Sequence, residues 1–292
     1  MKLGLFVPLG PPVATPAFVA TLGREAEALG FDSLWLAEHV VLFDDHASRY
    51  PYASDGRFPA SGEAGFLDPF GAIGFLAAVT SRIRLGTGIC LVPQRNPVYV
   101  AKEVATVDWL SGGRFDFGVG VGWLAEEFGA LNVPFAGRGP RCRSYLEVCR
   151  RLWCDAVSSY HDRFHDLPAC RAYPKPVQRP HPPIHFGGES DAALARVADL
   201  GQGWYGFDLD PKHFAERVRR LDELLAKRGA TRADRVVSVS PYLRSTTPQD
   251  LEAYAEAGAD QVILTAFARD PDALRARLAI LAATLLEAAH AL

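Results

Sequence analysis

The stretch IRLGTGICLVPQRNPVYVAKEVATVDWLSGGRFDFG, residues 83–118, contains the unit from which the whole chain is built. Its two ends, Ile83–Thr87 and Arg114–Gly118, are short, largely apolar runs that predict β-strands. Between them, Asn96-Pro97 pairs an N-cap oxygen with a proline at the first helical position, where no backbone donor is lost. A strand, a helix and a second strand in this order predict a parallel βαβ unit.

The same alternation recurs along the chain and predicts eight strands. They are Lys2–Val7, Ser33–Leu36, Ile83–Thr87, Arg114–Gly118, Pro183–Phe186, Gly203–Gly206, Val236–Ser240 and Gln261–Leu264. Further helix starts carry the same pairing of a capping residue with proline, at Thr15-Pro16, Asp68-Pro69, Asp210-Pro211, Thr247-Pro248 and Asp270-Pro271.

Eight strand–helix units predict an α/β fold, a (β/α)8 TIM barrel formed by one domain over residues 1–292. The alternative, a doubly wound sheet, requires a composition break or a linker near the middle of the chain, and the sequence has neither. Connections longer than a barrel requires follow the second and fourth predicted strands and precede the fifth; they are Val40–Gly65, Val119–Pro140 and Asp155–Pro182. The first two lie on the face where such barrels carry out chemistry.

Composition excludes several classes of function. The chain is 49% hydrophobic and 22% charged with a formal net charge of -3. Nucleic acids and anionic membranes both require a concentrated basic surface, so neither is expected as a partner. The apolar stretch at the amino terminus is too short for a secretory signal, and no apolar run is long enough to span a bilayer. We therefore expect a cytoplasmic protein. Five cysteines without a CxxC pair, and histidines without ligand spacing, give no reason to expect a metal.

Two candidate segments stand at the ends of the second and third strands. Glu38 and His39 follow the second strand, where a carboxylate and an imidazole can exchange protons with a bound molecule. The alternative is a pair that merely caps the strand end. Thr87, Gly88 and Ile89 end the third strand, and glycine there indicates a bulge or a close approach of backbone to a ligand. A simple bend is the alternative.

Two glycine-rich segments follow the fourth and fifth strands. Gly118-Val119-Gly120-Val121-Gly122 leads into Trp123, and such a segment allows a ring or a phosphate to lie against bare backbone. It lacks the spacing of a dinucleotide fingerprint. Gly187, Gly188, Glu189 and Ser190 open a helix whose free N–H groups favour a phosphate. The alternative for the first segment is that its small residues only allow the barrel to pack. The alternative for the second is a glycine turn in which Ser190 simply caps the helix.

Three longer segments resemble the bacterial luciferase-like monooxygenase superfamily. They are FDSLWLAEHV (31–40), SRIRLGTGICLVPQRNPVYVAKEVATVDWLSGGRFDFGVGVGWLAEEF (81–128) and PPIHFGGESDAALARVADLGQGWYGF (182–207). Within them, GGRFDFGVGVGW and the following VPFAGRGPRCRSYLEVCRRLW (133–153) are most similar to the branch that depends on coenzyme F-420. The resemblance implies an oxidoreductase that moves a hydride to or from a 5-deazaflavin, and we expect it to act as a homodimer.

The resemblance also implies roles for individual positions. Glu38 and His39 lie beside the reacting edge of the ring, and Gly88-Ile89 forms a cis peptide behind it. The backbone of 187–190 holds the phosphate, and Gly118 to Gly122 line the ribityl chain. Arg138, Arg141 and Arg143 are candidates for an acidic polyglutamate tail, with a solvated arginine face as the alternative.

The sequence departs from relatives with other substrates. Trp123 stands where the sugar-phosphate dehydrogenases of the superfamily carry an acidic residue, and Val40 stands where luciferases have a second histidine. We therefore expect a small, apolar substrate in a pocket formed by Phe43, Trp123 and Phe128. The alternatives are a monooxygenase that uses FMN, a flavin-binding or deazaflavin-binding protein without turnover, and a barrel hydrolase that has lost the cofactor.

Overall fold

Eight parallel strands close into a barrel in the computed structural model, which describes residues 1–59, 63 and 65–292. The fold class predicted from the sequence is confirmed. The barrel strands are β1 (Lys2–Phe6), β2 (Ser33–Leu36), β3 (Arg84–Thr87), β4 (Phe115–Val119), β7 (Ile184–Gly187), β8 (Gly203–Phe207), β9 (Val236–Tyr242) and β10 (Gln261–Thr265). Each overlaps a predicted strand, and β1 pairs in parallel with both β2 and β10, which closes the barrel.

An antiparallel hairpin lies inside the connection before the fifth barrel strand. It consists of β5 (Ser158–His161) and β6 (Asp166–Cys170). The sequence predicted only a connection here, because the strands are four and five residues long and the second contains Pro168. The hairpin stands outside the barrel, so the predicted order of the eight barrel strands is unaffected.

The helices begin where the capping pairs predicted. At each of the six predicted starts the residue before proline accepts a hydrogen bond from a backbone N–H of the first turn. The helices are α1 (Pro16–Leu29), α2 (Pro69–Val79), α3 (Pro97–Leu110), α4 (Ala125–Ala130), α5 (Arg138–Cys154), α6 (Asp191–Leu200), α7 (Pro211–Ala226), α8 (Pro248–Glu256), α9 (Pro271–Leu281) and α10 (Glu287–Ala291).

The cavity that the long connections border opens at the carboxyl ends of the barrel strands. A plug of large side chains, Phe6, Trp35, Tyr205 and Ile263, fills the middle of the barrel. His185 on β7 packs edge-on against Trp35 with ring centroids 5.4 Å apart, and its Nε2 lies 3.4 Å from Oδ1 of Asp116. It belongs to the packed interior, and the open mouth lies on the opposite side of the plug.

No helix among the described residues is both long and apolar enough to cross a bilayer. The same residues bring together no group of three or more His, Cys, Asp or Glu side chains that could hold a metal ion.

Candidate functional site

A cavity of about 390 Å³ opens at the carboxyl ends of the barrel strands. Its outer wall is aromatic, because the long connection after β2 folds over the mouth. Tyr50, Tyr52 and Phe58 from that connection, and Trp123 from the connection after β4, all face the cavity. Phe58 stacks on Trp123 with centroids 5.9 Å apart, and Tyr50 meets both rings edge-on. A lining of this kind favours a flat or apolar molecule.

His39 lies between this aromatic wall and a buried carboxylate. Its Nδ1 is 3.2 Å from Oε2 of Glu127 on α4, and its ring contacts Phe58 and Trp123. Burial alone would raise the pKa of Glu127, but hydrogen bonds from His39, Gln94 and the Val40 N–H hold that pKa below its usual range. Because Nδ1 is held, Nε2 is the imidazole nitrogen left for a bound molecule.

Glu38 borders the same cavity but is tied into the fold. Its Oε2 accepts the Leu91 N–H at 2.6 Å, and its Oε1 accepts Nε of Arg95 at 2.6 Å. Burial raises the pKa of Glu38, while Arg95 and the Leu91 N–H oppose that rise. Arg95 also pairs with Asp68. Both oxygens of Glu38 are therefore engaged, which leaves His39 as the side chain available for proton transfer.

The peptide between Gly88 and Ile89 is cis, as the resemblance implied, and both residues line the cavity floor. Cβ atoms built on Gly120 and Gly187 would lie 2.0 and 2.6 Å from Cδ1 of Ile89. These two glycines therefore make room for the isoleucine. Gly187 and Ile89 border the cavity, whereas Gly120 packs against Ile89 and is not among the residues that line the cavity.

Thr87 likewise does not line the cavity. Its side chain is fully buried, and its hydroxyl donates to the carbonyl of Gly118 at 2.6 Å. The hydroxyl joins β3 to β4 and is not part of the wall. The following segment does reach the mouth, where Val121 and Gly122 both line the cavity.

The turn after β7 forms a concave corner at the opposite end of the cavity. Gly187, Gly188 and Ser190 line it, and Gly188 has φ of 102°, a conformation that favours glycine. Ser190 caps α6 by accepting the Ala193 N–H at 3.2 Å. The corner therefore presents the positive end of a ten-residue helix to the cavity.

Arg196 adds a positive charge to this corner. It lies on α6, lines the cavity, and its buried Nε has no hydrogen-bond partner among the described residues. Burial and the neighbouring Arg143 and Arg138 lower its pKa, against the opposing effect of Cys142. A buried guanidinium nitrogen without an acceptor, next to a helix N-terminus, fits an anionic group such as a phosphate.

Glu189 turns away from this corner, as its charge requires. Its Oε1 accepts the Phe207 N–H at 2.8 Å, and its Oε2 accepts the Tyr52 hydroxyl at 3.0 Å. Burial, together with nearby Asp208, raises the pKa of Glu189 to about 7, although hydrogen bonds from Phe207 and Tyr52 oppose the rise. The carboxyl thus joins the connection after β2 to the end of β8.

Two residues expected in the substrate pocket lie elsewhere. Phe128 is completely buried and packs edge-on against Phe135 behind Gly122, because α4 turns that face inwards. Phe43 is partly exposed in the connection after β2 and does not line the cavity. Of the expected set, Trp123 is the one that lines the cavity.

The three arginines proposed for an acidic tail are already engaged. Arg141 is buried and donates to the carbonyls of Pro134 and Ala136. Arg143 pairs with Asp199 at 2.5 Å. Arg138 donates to the Gly122 carbonyl at 3.1 Å and lies over the Phe135 ring. Arg141 is therefore a structural residue.

Comparison with known proteins gives the family. The model of the family described as luciferase-like monooxygenase matches residues 1–291. The chain belongs to this family. Luciferase-like proteins are oxidoreductases or monooxygenases, so the expectation of an oxidoreductase is confirmed.

Similar proteins include members that differ in cofactor. An uncharacterized protein of Mycobacterium tuberculosis is 33% identical over 286 residues, which cover 98% of this chain and 99% of the relative. The FMNH(2)-dependent dimethylsulfone monooxygenase of Pseudomonas putida is 30% identical over 206 residues, 68% of this chain and 53% of that protein. The coenzyme F-420-dependent tetrahydromethanopterin reductase of Methanopyrus kandleri superposes with a TM-score of 0.76 at 17% identity, covering 98% of each chain, and that likeness shows the fold alone.

Sequence reasoning missed several side chains at the luciferase-like site, above all Glu127 and Arg196. Glu127 is the second residue of the pair Glu126-Glu127 in the connection after the fourth predicted strand, and nothing in the local sequence distinguishes it from partly exposed Glu126. Arg196 lies about two turns into the predicted helix that begins after Ser190. Once the first residue of that helix is placed at the cavity, helical periodicity puts Arg196 on the cavity side. Only the spatial neighbours of these residues show what they face.

Proposed function

We propose that this chain is an oxidoreductase that binds the 5-deazaflavin coenzyme F-420 and moves a hydride between it and a small, neutral, mainly apolar organic molecule. The observation that carries the proposal is the unpartnered buried Nε of Arg196 at the corner formed by Gly188 and Ser190. A phosphate bound there satisfies the guanidinium and the helix N-terminus together.

The residues present fit such a cofactor along the length of the cavity. The corner at Ser190 and Arg196 would hold the phosphate, and the floor at Gly88 and Ile89 would support the ring. When bound, a deazaflavin supplies a carbon centre that accepts or donates a hydride. The chain itself supplies His39, whose Nε2 is free to give or take the proton on the substrate oxygen.

The aromatic wall determines what else enters the cavity. Tyr50, Phe58 and Trp123 cover the mouth and present no charged group to the substrate. Glu38 is neutralised by Arg95, and Arg196 lies at the phosphate end. A substrate with its own negative charge would therefore find no counter-ion near His39. This supports a neutral alcohol, ketone or enone over a sugar phosphate.

FMN is the second candidate for the cofactor. The relative from Pseudomonas putida carries FMNH(2) dependence in its name, and the phosphate corner suits either cofactor. The resemblance of residues 112–123 and 133–153 to the deazaflavin-dependent branch favours coenzyme F-420.

Cofactor titration of the purified protein tests the proposal. We expect absorbance or fluorescence changes that saturate with coenzyme F-420 and weaker binding of FMN. Arg196→Gln should raise the dissociation constant for either cofactor about 10–100-fold, the size of a lost charge-assisted hydrogen bond. Arg275→Gln, which removes a surface ion pair with Glu25 outside the cavity, is the matched control and should change binding less than threefold.

The outcomes separate the candidates. Tighter binding of FMN than of coenzyme F-420 would favour the monooxygenase. If neither cofactor binds the wild-type protein at millimolar concentration, the proposal fails. A barrel that binds coenzyme F-420 but turns over no alcohol, ketone or enone would be the binding protein without turnover.

We also propose that the chain forms a homodimer. Tyr99, Trp109 and Leu110 on α3 are 71%, 54% and 64% exposed. Large apolar side chains concentrated on one helix favour a protein contact over solvent.

A further inference from the structure

The carboxylate of Glu127 is the most heavily hydrogen-bonded group near the cavity that the function described so far leaves unused. It is fully buried on α4. Its Oε1 accepts the Val40 N–H at 2.6 Å, and its Oε2 accepts Nε2 of Gln94 at 2.9 Å and lies 3.2 Å from Nδ1 of His39.

We propose that Glu127 is a positioning residue that fixes the tautomer and the orientation of His39, so that Nε2 faces the cavity without its proton in the neutral ring. The inference rests on the proposed function only in assigning proton transfer to His39. The geometry itself belongs to the protein without any cofactor.

The chemistry follows from what each group can donate. An ionised carboxylate has no proton to give, so a hydrogen bond between Oε2 and Nδ1 requires the proton to lie on Nδ1. The neutral imidazole then carries its lone pair on Nε2, where it can accept a proton from a substrate hydroxyl. The imidazolium formed in that step is stabilised by the same carboxylate, as in other acid-oriented histidines.

The two oxygens of Glu127 act on adjacent parts of the chain. Oε1 holds the Val40 N–H, which is the peptide that follows His39, while Oε2 holds the ring. One carboxylate thus fixes both the backbone and the side chain of His39. The ring contacts with Phe58 and Trp123 limit its remaining rotation.

Glu127→Gln tests the proposal, because it keeps the shape of the side chain. The Val40 N–H requires an acceptor, so the amide oxygen of the new glutamine should stay at that position and its NH₂ should face His39. Gln94 can accommodate the change, since its Oε1 is buried without a partner and can accept from the new NH₂ after the Gln94 amide turns over. Nδ1 of His39 then becomes an acceptor, and the proton must move to Nε2.

The first measurement requires no cofactor. Nitrogen-15 NMR of histidine-labelled protein distinguishes Nδ1–H from Nε2–H rings, and the spectrum of His39→Gln identifies the signal of His39 among the eight histidines. We expect Nδ1–H in the wild type and in Glu126→Gln, and Nε2–H in Glu127→Gln. Glu126 is the matched control, because its carboxylate accepts the Ala47 and Ser48 N–H groups and does not contact His39.

The second measurement uses turnover. Glu127→Gln should lower kcat about 100-fold or more, by analogy with the loss on inverting an acid-oriented histidine, while KM and the dissociation constant of the cofactor change less than threefold. A purely structural role for Glu127 would instead alter KM and cofactor binding together. Glu127→Asp keeps the carboxylate and should retain the wild-type tautomer with an intermediate kcat.

An Nε2–H ring in the wild type, or an Nδ1–H ring in Glu127→Gln, would overturn the inference. If Glu127→Gln does not fold, an Nε2–H ring in Glu127→Asp would do the same. A wild-type protein that binds no cofactor refutes the proposed function but leaves the tautomer measurement intact, so the two failures are distinguishable.

Discussion

The carboxyl of Glu189 should make the stability of this protein depend on pH in the neutral range. Its pKa is raised to about 7 from 4.5, first by burial and then by the nearby Asp208, against the hydrogen bonds that it accepts from Phe207 and Tyr52. Asp208 is itself paired with Arg244, whose Nε lies 3.3 Å from Oδ1 of Asp208.

The sign and size of the effect follow from linkage. Because the folded pKa lies above the unfolded one, the folded state holds more protons between these values, and the free energy of unfolding falls as pH rises. The stabilising contribution is complete below pH 4.5 and is lost as pH rises to about 7. A difference of about 2.5 units corresponds to about 3 kcal/mol, and partial exposure of Glu189 reduces the expected loss to about 2 kcal/mol.

Urea unfolding of the wild type and of Glu189→Gln at pH 5, 6, 7 and 8 measures this loss. Glutamine keeps an acceptor for the Phe207 N–H but cannot ionise. The free energy of unfolding of Glu189→Gln, relative to that of the wild type, should therefore rise by about 2 kcal/mol between pH 5 and pH 8. The other ionisable groups are the same in both proteins, so their contributions cancel in the difference.

Tyr52→Phe provides a second, opposite test. It removes a donor that favours the ionised carboxyl, so the loss of stability should extend to higher pH than in the wild type. A difference between wild type and Glu189→Gln that stays constant within about 0.5 kcal/mol from pH 5 to pH 8 would refute the reasoning.

Two further predictions concern packing and assembly. Gly120→Ala should cost about 1–3 kcal/mol in urea unfolding because its Cβ would lie 2.0 Å from Cδ1 of Ile89, and Ile89→Val in the same chain should recover most of that cost. Gly118→Ala meets the backbone oxygen of Thr87 at 1.8 Å and should not be rescued by Ile89→Val; equal rescue of both would contradict this packing. Light scattering should give twice the chain mass, and Trp109→Ser together with Leu110→Ser should shift it towards the monomer, whereas a monomeric wild type would contradict the homodimer.

The fold was predictable because its signals are local and repeated. Each cap with its proline, such as Asn96-Pro97 or Asp270-Pro271, acts within one helical turn, so the sequence alone shows where the helix begins. The alternation of these starts with apolar strands then leaves a closed barrel as the natural arrangement. The β5–β6 hairpin was missed because its strands are short and one contains a proline.

The site was predictable in part. His39, Gly188 and Ser190 follow strand ends, and parallel strands bring those ends to one face, so sequence position implied that they share a cavity. The pairing of Glu127 with His39 spans 88 residues and depends on how α4 turns, which no local pattern encodes. Phe128, next to Glu127, was misplaced for the same reason: adjacent residues on a short helix face different surroundings.

Three buried or partly buried glutamates hold the same part of the chain. Glu38 binds the Leu91 N–H, Glu127 binds the Val40 N–H, and Glu189 binds the Tyr52 hydroxyl. Glu38 itself stands between β2 and the connection that follows it, and the other two bind residues of that connection.

A long connection cannot order itself through its own few contacts, because fixing each residue costs about 1–2 kcal/mol of conformational entropy. Glu38, just after β2, anchors the start of that connection to Leu91 and Arg95, while Glu127 on α4 and Glu189 in the turn after β7 bind the connection itself. Since His39 begins the connection and Tyr52 lies within it, the same bonds that order the backbone also fix the proton-transfer group and the aromatic wall before a ligand arrives. Preorganisation of this kind reduces what binding must order, and it explains why a site of mostly apolar character is built around three carboxyl groups whose oxygens are engaged by the protein itself.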